Sequence, residues 1–126
     1  MMNTESSMKN IASALLNVRV PAEPGEYDIH AFVASALQNG GISFQHECPL
    51  APRCRIDFFA DGIGIEIKKG RPTASTLRKQ LERYLQNDQL RGVIVVVQKN
   101  VDLPNHILGK PVQTVSLNRN WGVALP

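Results

Sequence analysis

The sequence predicts an α/β fold, a mixed β-sheet flanked by helices in the order α-β-β-β-α-β. Three observations carry this expectation. Ile29, Phe32, Val33, Ala36 and Leu37 recur at helical spacing. Asp61-Gly62 stands between two short runs rich in branched and aromatic residues, a strong signal for a two-residue hairpin. A second helical pattern then separates that hairpin from Val93-Ile94-Val95-Val96-Val97, the arrangement of a parallel crossover.

Taken in order, residues 1–25 read as an N-terminal arm or a short helix. Ile11 to Val20 holds enough apolar residues for a helix or a strand before Pro21, Pro24 and Gly25 interrupt it. Residues 26–126 read as one domain. Its first helix spans Glu26 to Asn39 and stops at Gly40-Gly41. Ile42 to His46 is a strand, followed by a loop containing Pro49 and Pro52. The hairpin strands are Arg55 to Ala60 and Ile63 to Lys69. Thr73 to Asn87 is a helix, capped by Thr73 or Ser75, with Leu77, Leu81, Tyr84 and Leu85 on its apolar face. The valine-rich run of Gly92 to Gln98 suits a strand buried on both faces. Pro104 to Pro111 is expected to be a loop or short turn, and Val112 to Leu117 a final strand at the sheet edge.

A chain of 126 residues, 43% hydrophobic and 20% charged, fits a soluble domain with a single core. No apolar run approaches the roughly 18 residues of a membrane span, so no membrane role is expected. No secretory signal is visible, which makes a cytoplasmic location the expectation. Cys48 and Cys54 read as ordinary thiols. A zinc or iron–sulfur site would need more ligands at closer spacing. The net charge of +3 is a mild bias towards polyanions. The middle third is more basic, with Arg53, Arg55, Lys68, Lys69, Arg71, Arg78, Lys79, Arg83 and Arg91 opposed by few acids. For the charge alone, a solvated face is the better reading of this bias.

The hairpin carries the chemistry. Counting outward from Asp61-Gly62, Ala60 pairs with Ile63, Phe59 with Gly64, Phe58 with Ile65 and Asp57 with Glu66. Directly opposed residues have Cβ atoms roughly 4.5–5.5 Å apart on one side of the sheet. Two carboxylates so placed repel, and a divalent cation resolves the conflict. Strand alternation puts Lys68 on the face of Glu66. An ammonium beside a two-carboxylate metal site suits phosphodiester hydrolysis. A solvent-facing ladder of charges is the other reading of the same residues. A one-residue bulge would spoil the facing pair.

Asp57, eight intervening residues and then Glu66-Ile67-Lys68 resemble the core of the PD-(D/E)XK nucleases. Gln80-Leu-Glu-Arg-Tyr84 resembles the Gln-x-x-x-Tyr motif of RecB-like and related phage nucleases. The resemblance runs from about Glu26 to Gln98. It implies a restriction-endonuclease-like core and a Mg²⁺- or Mn²⁺-dependent nuclease acting on DNA, with RNA left open, in phage or prophage recombination or repair. By the same resemblance Asp57 and Glu66 hold the metal, with the backbone carbonyl of Ile67 as a further ligand, and Lys68 is the catalytic lysine. Glu26 lies where many members keep an acid near the metal, although the dipole of a helix start also favours an acid there. Ile56 replaces the proline that usually precedes the aspartate.

Gln80 and Tyr84 share a helix face and are implied to contact DNA backbone or brace the active centre. Lys69, Arg71, Arg78, Lys79 and Arg83 are the expected nucleic-acid contacts. A homo-oligomer or a partner protein is expected, since the sequence shows no helicase or specificity module. The alternatives are a nucleic-acid-binding module of the same fold that does not cleave, and a structural subunit whose charged strand is only surface. His30, His46 and His106 follow no motif and read as structural or exposed.

Overall fold

The computed structural model describes residues 3–16 and 26–117, with backbone alone for residues 26–28. These residues form α1 (Thr4–Leu15), α2 (Glu26–Asn39), β1 (Gln45–Ala51), β2 (Cys54–Ala60), β3 (Ile63–Lys68), α3 (Ala74–Leu85), β4 (Gly92–Val97), β5 (His106–Ile107) and β6 (Lys110–Ser116). The strands make one mixed sheet in the order β1-β2-β3-β4-β6-β5. β1, β2 and β3 are antiparallel neighbours, whereas β3, β4 and β6 run parallel. The expected α/β class and mixed sheet are present. No helix among the described residues is long and apolar enough to cross a membrane.

Local chemistry accounts for the elements that position the site. Asp61 and Gly62 both take left-handed backbone, with φ of 51° and 79°, as a two-residue turn matched to strand twist requires. The hairpin register is as counted from the turn up to Phe58 opposite Ile65. α3 carries the chain across to β4, whose residues are all buried, and Ile65 pairs with Ile94.

Four expectations are corrected. β1 covers Gln45–Ala51, where a loop was expected around Pro49. It is the outer strand of the sheet, where one side of the backbone has no ladder partner and a proline is tolerated. β6 is not an edge along its whole length, because His106–Ile107 folds back on it through Leu108-Gly109, whose φ angles are 54° and 75°. The helix near the N-terminus begins at Thr4, where the Asn3 side chain accepts the Ser6 N–H at 2.7 Å, well before the apolar stretch that suggested it. Residues 17–25 of that segment lie outside the described residues. Finally, Thr73 precedes α3 but makes no side-chain cap.

Two clusters fill the interior. On one face α1 and α2 contribute Ile11, Leu15, Ile29, Val33 and Leu37 to pack on Phe58, Ile65, Ile67, Ile94 and Val96. Phe32 lies beside this stripe and stays 37% exposed. On the other face α3 lays Leu77, Leu81, Tyr84 and Leu85 on Val93, Val95 and Val97. Burial of side chains of this size contributes roughly 1.5–3 kcal/mol each before entropy is counted. α1 is fastened by Arg91, which donates to Thr4 Oγ1 at 3.1 Å and to the carbonyl of Asp61.

A break in β2 shapes the site. In a regular strand Ile56 and Phe58 would share a face. Here Phe58 packs with α1 and α2, and Ile56 packs with α3. The parity changes at Asp57. On β1, Glu47 falls between the pairs His46–Phe58 and Cys48–Ile56, and it has φ of 54°. The outer half of the β1–β2 hairpin therefore bends onto the α3 side. Cys48, Leu50, Cys54 and Ile56 join the α3 cluster, and Gln89 Nε2 donates to the Leu50 carbonyl at 3.0 Å. The bend brings side chains close over Gly64: a Cβ there would meet the tip of Ile56, Cδ1, which would have to shift, and would press on Leu90.

Candidate active site

The break leaves Asp57 and Glu66 where β2 and β3 part. Their expected backbone pairing is absent, since the ladder ends one step earlier at Phe58 and Ile65. Instead Asp57 Oδ2 accepts the Ile67 N–H at 2.8 Å, a carboxylate standing in for a ladder carbonyl. The Asp57 side chain is 24% exposed and lies within the electrostatic reach of Glu66 and Tyr84.

Glu66 is only 4% exposed, so it is not part of a solvent-facing ladder. Its Oε2 accepts the Tyr84 hydroxyl at 3.2 Å and is 3.1 Å from Lys68 Nζ. Its Oε1 is buried and has no hydrogen-bond partner among the described residues. Burial, then the charge of Asp57, pushes the Glu66 carboxyl up to about 7, against the opposing pull of Lys68 and the Tyr84 hydroxyl. The Tyr84 phenol is driven well above its usual range by burial and by the adjacent Glu66. Gln80 Nε2 donates to Tyr84 Oη at 2.9 Å. Gln80, Tyr84, Glu66 and Lys68 are thus one hydrogen-bonded line running from the edge of α3 to the end of β3.

No protein-family model, curated protein or solved structure matches this chain. What the site can do rests on its own geometry.

A divalent cation fits the donor set. Glu66 has one buried carboxylate oxygen unpartnered among the described residues and lies within the electrostatic reach of a second carboxylate, Asp57, and hard cations such as Mg²⁺ are held through one or two carboxylates with water completing the shell. Among the described residues no three His, Cys, Asp or Glu side chains gather to hold a metal. The candidate set is therefore the two carboxylates, with main-chain and solvent oxygens as the remaining ligands. Lys68, 28% exposed, keeps its ammonium at the open side of the same carboxylate.

The other sequence-predicted residues fall into three groups. Ile67 offers main chain only, since its side chain is buried on the opposite face. Glu26 opens α2, and its side chain lies outside the described residues. Lys69, Arg71, Arg78, Lys79 and Arg83 are all exposed. Arg78 is spent on Glu82 at 3.4 Å along the helix, and the loop carrying Lys69 and Arg71 is pinned where Gly70 N–H donates to Gln98 Oε1 at 2.7 Å.

Two residues that followed no motif also come to this site. His30 Nε2 lies 3.8 Å from Asp57 Oδ2, and its Nδ1 is 3.0 Å from His46 Nε2. His46 stacks on Phe58 with centroids 4.5 Å apart and planes 17° from parallel. His46 lies directly across the β1–β2 ladder from Phe58. Had β1 been placed at Gln45–Ala51 from the sequence, that register would have shown the neighbourhood.

Proposed function

We propose that the protein is a Mg²⁺- or Mn²⁺-dependent nuclease hydrolysing phosphodiester bonds in DNA, on a restriction-endonuclease-like core. The observation that carries this reading is the buried, unpartnered Oε1 of Glu66 beside Asp57 and Lys68. A buried carboxyl that lacks a partner on one oxygen and is pressed towards neutrality by burial, and next by the charge of Asp57, is costly for folding alone. It is the arrangement expected where a cation completes the set. The order of helix, antiparallel strands, crossover helix and parallel strand supports the fold assignment.

Asp57 and Glu66 would hold the cation. When bound, it supplies a water of lowered pKa and a positive charge against the phosphoryl oxygens. Lys68, while protonated, donates and cannot accept a proton, so it orients the attacking water or offsets charge that builds on the phosphate. Tyr84, held by Gln80, fixes one oxygen of Glu66 and leaves the other free to bind. Lys69 and Arg71, just after β3, and Lys79 and Arg83, on α3, are exposed cations on or next to the elements that carry Glu66, Lys68 and Tyr84, and suit a polyanionic substrate.

A cleavage assay on single-stranded, duplex and branched DNA, and on RNA, with Mg²⁺, Mn²⁺ or EDTA tests the proposal. Divalent-dependent cleavage that is lost in Asp57→Asn is the expected result. Binding of DNA with no cleavage under any metal would replace it with the non-cleaving module.

A further inference from the structure

Beyond the carboxylates, the bent hairpin makes a second site of opposite sign. The β1–β2 turn and the C-terminal end of α3 border an open depression of about 370 Å³, lined by the exposed Arg53 and Arg83 with Cys54, Gln86 and Asn87, and with no acidic residue in its wall among the described residues. Neither guanidinium has an ion-pair partner among the described residues, and Glu82 beside Arg83 is engaged by Arg78. Two like charges bordering one depression attract an anion between them.

The structural explanations for these arginines are weak. A cation in the last turn of a helix often serves the helix carbonyls. Here those carbonyls are already served, because Lys110 Nζ donates to Leu85 O at 2.8 Å and to Asn87 O at 3.1 Å. Asn87 Nδ2 donates to Tyr84 O at 3.0 Å and to Arg83 O at 3.3 Å. Arg53 occupies a left-handed turn position, φ 61°, that favours glycine or asparagine. An arginine in a backbone conformation that disfavours it directs attention to its side chain.

We propose that Arg53 and Arg83 form an anion subsite for one phosphate of a nucleic-acid strand, held between two guanidinium forks. This rests on the nuclease reading for its substrate. Guanidinium is suited to bidentate capture of a phosphate, and Gln86 adds a further donor at the rim. Arg53 immediately precedes β2 and lies four residues from Asp57, at most about 13 Å for an extended chain and less across the bend. Arg83 immediately precedes Tyr84. The subsite therefore sits within a few nucleotides of the bond to be cut and fixes where the strand lies relative to it.

The test uses fluorescence anisotropy with a short labelled single-stranded DNA in EDTA, so that neither metal nor cleavage enters. Arg53→Gly and Arg83→Gln are each expected to weaken binding about tenfold and to lower the salt slope by about 0.7, one phosphate contact on a single strand. If both hold the same phosphate, the double variant loses little more slope than either single one. Melting separates this from a structural role, since Arg53→Gly relieves the left-handed turn and should leave stability unchanged or raised.

Oligonucleotides with and without a terminal phosphate identify the source. Sensitivity confined to the phosphorylated strand assigns a terminal phosphomonoester, and sensitivity on both assigns an internal diester. Unchanged affinity and slope in both single variants would overturn the subsite, even for a protein that cleaves DNA. Conversely, loss of binding in these variants of a protein that never cleaves would keep the subsite and remove the nuclease reading.

Discussion

Asp57 Oδ2 accepts the main-chain N–H of Ile67 at 2.8 Å, so the carboxylate closes a gap left where β2 turns away from β3. Burial raises the Glu66 pKa most, and the charge of the same group that braces the open ladder raises it next. Structure and candidate chemistry therefore share one side chain, and they can be separated by substitution. Asp57→Asn keeps an acceptor for Ile67 and removes the charge. It should fold normally and lose divalent binding by calorimetry. Asp57→Ala should also lose about 1–3 kcal/mol of stability, because the Ile67 N–H is left unpaired. Equal Mn²⁺ binding by wild type and Asp57→Asn would remove the metal assignment.

Lys68 touches Glu66 Oε2 but, while protonated, cannot ligate a metal. Lys68→Ala is expected to abolish cleavage while divalent binding persists in calorimetry. Cleavage at the wild-type rate would reduce the lysine to a charge partner of Glu66.

Tyr84 is a positioning residue, since its hydroxyl donates to Glu66 and is itself held by Gln80. That bond lowers the Glu66 pKa, so Tyr84→Phe should move the pH midpoint of Mn²⁺ binding upward. A ring that only packs would leave the midpoint in place. Gln80→Ala should slow cleavage across a salt series with no change in melting, because Gln80 is half-buried at the edge of α3. Full activity in that variant would make the motif structural here.

Glu66 also sets a pH dependence of folding. Its carboxyl titrates near 7 when folded and near 4.5 in the reference state. The folded protein therefore holds the proton more tightly. This group's contribution to stability is greatest below about pH 4.5 and falls as pH rises towards 7, by at most about 3 kcal/mol. Glu66→Gln should flatten that fall in denaturant titrations. Mn²⁺, which binds the ionised pair, should stabilise the wild type more at pH 8 than at pH 5. A wild-type profile identical to that of Glu66→Gln would contradict the burial argument.

Gly64 tests the bend. Ile56 and Leu90 cover the place a Cβ would take, so Gly64→Ala should cost about 1–3 kcal/mol in chemical denaturation. It should also disturb the site, since Ile56 adjoins Asp57. A neutral substitution would show that the bent hairpin yields easily.

The sequence by itself determined what depends on local pattern. The helical stripe of Ile29, Val33 and Leu37 and the Asp61-Gly62 turn were legible because periodicity and turn chemistry act over a few residues. The register as far as Phe58 and Ile65 followed from counting, and so did the placement of Glu66 and Lys68 on one face. Tertiary structure alone decided the rest. The reversal of Ile56 against Phe58 depends on packing of the hairpin over Gly64, which no period in β2 announces. The same bend turned an expected facing pair into a side-chain bond between Asp57 and Ile67. It also brought Arg53 to Arg83, thirty positions away in the chain. His30 and His46 met beside Asp57 because a helix was laid across a strand, and contacts between separate elements leave no spacing to read.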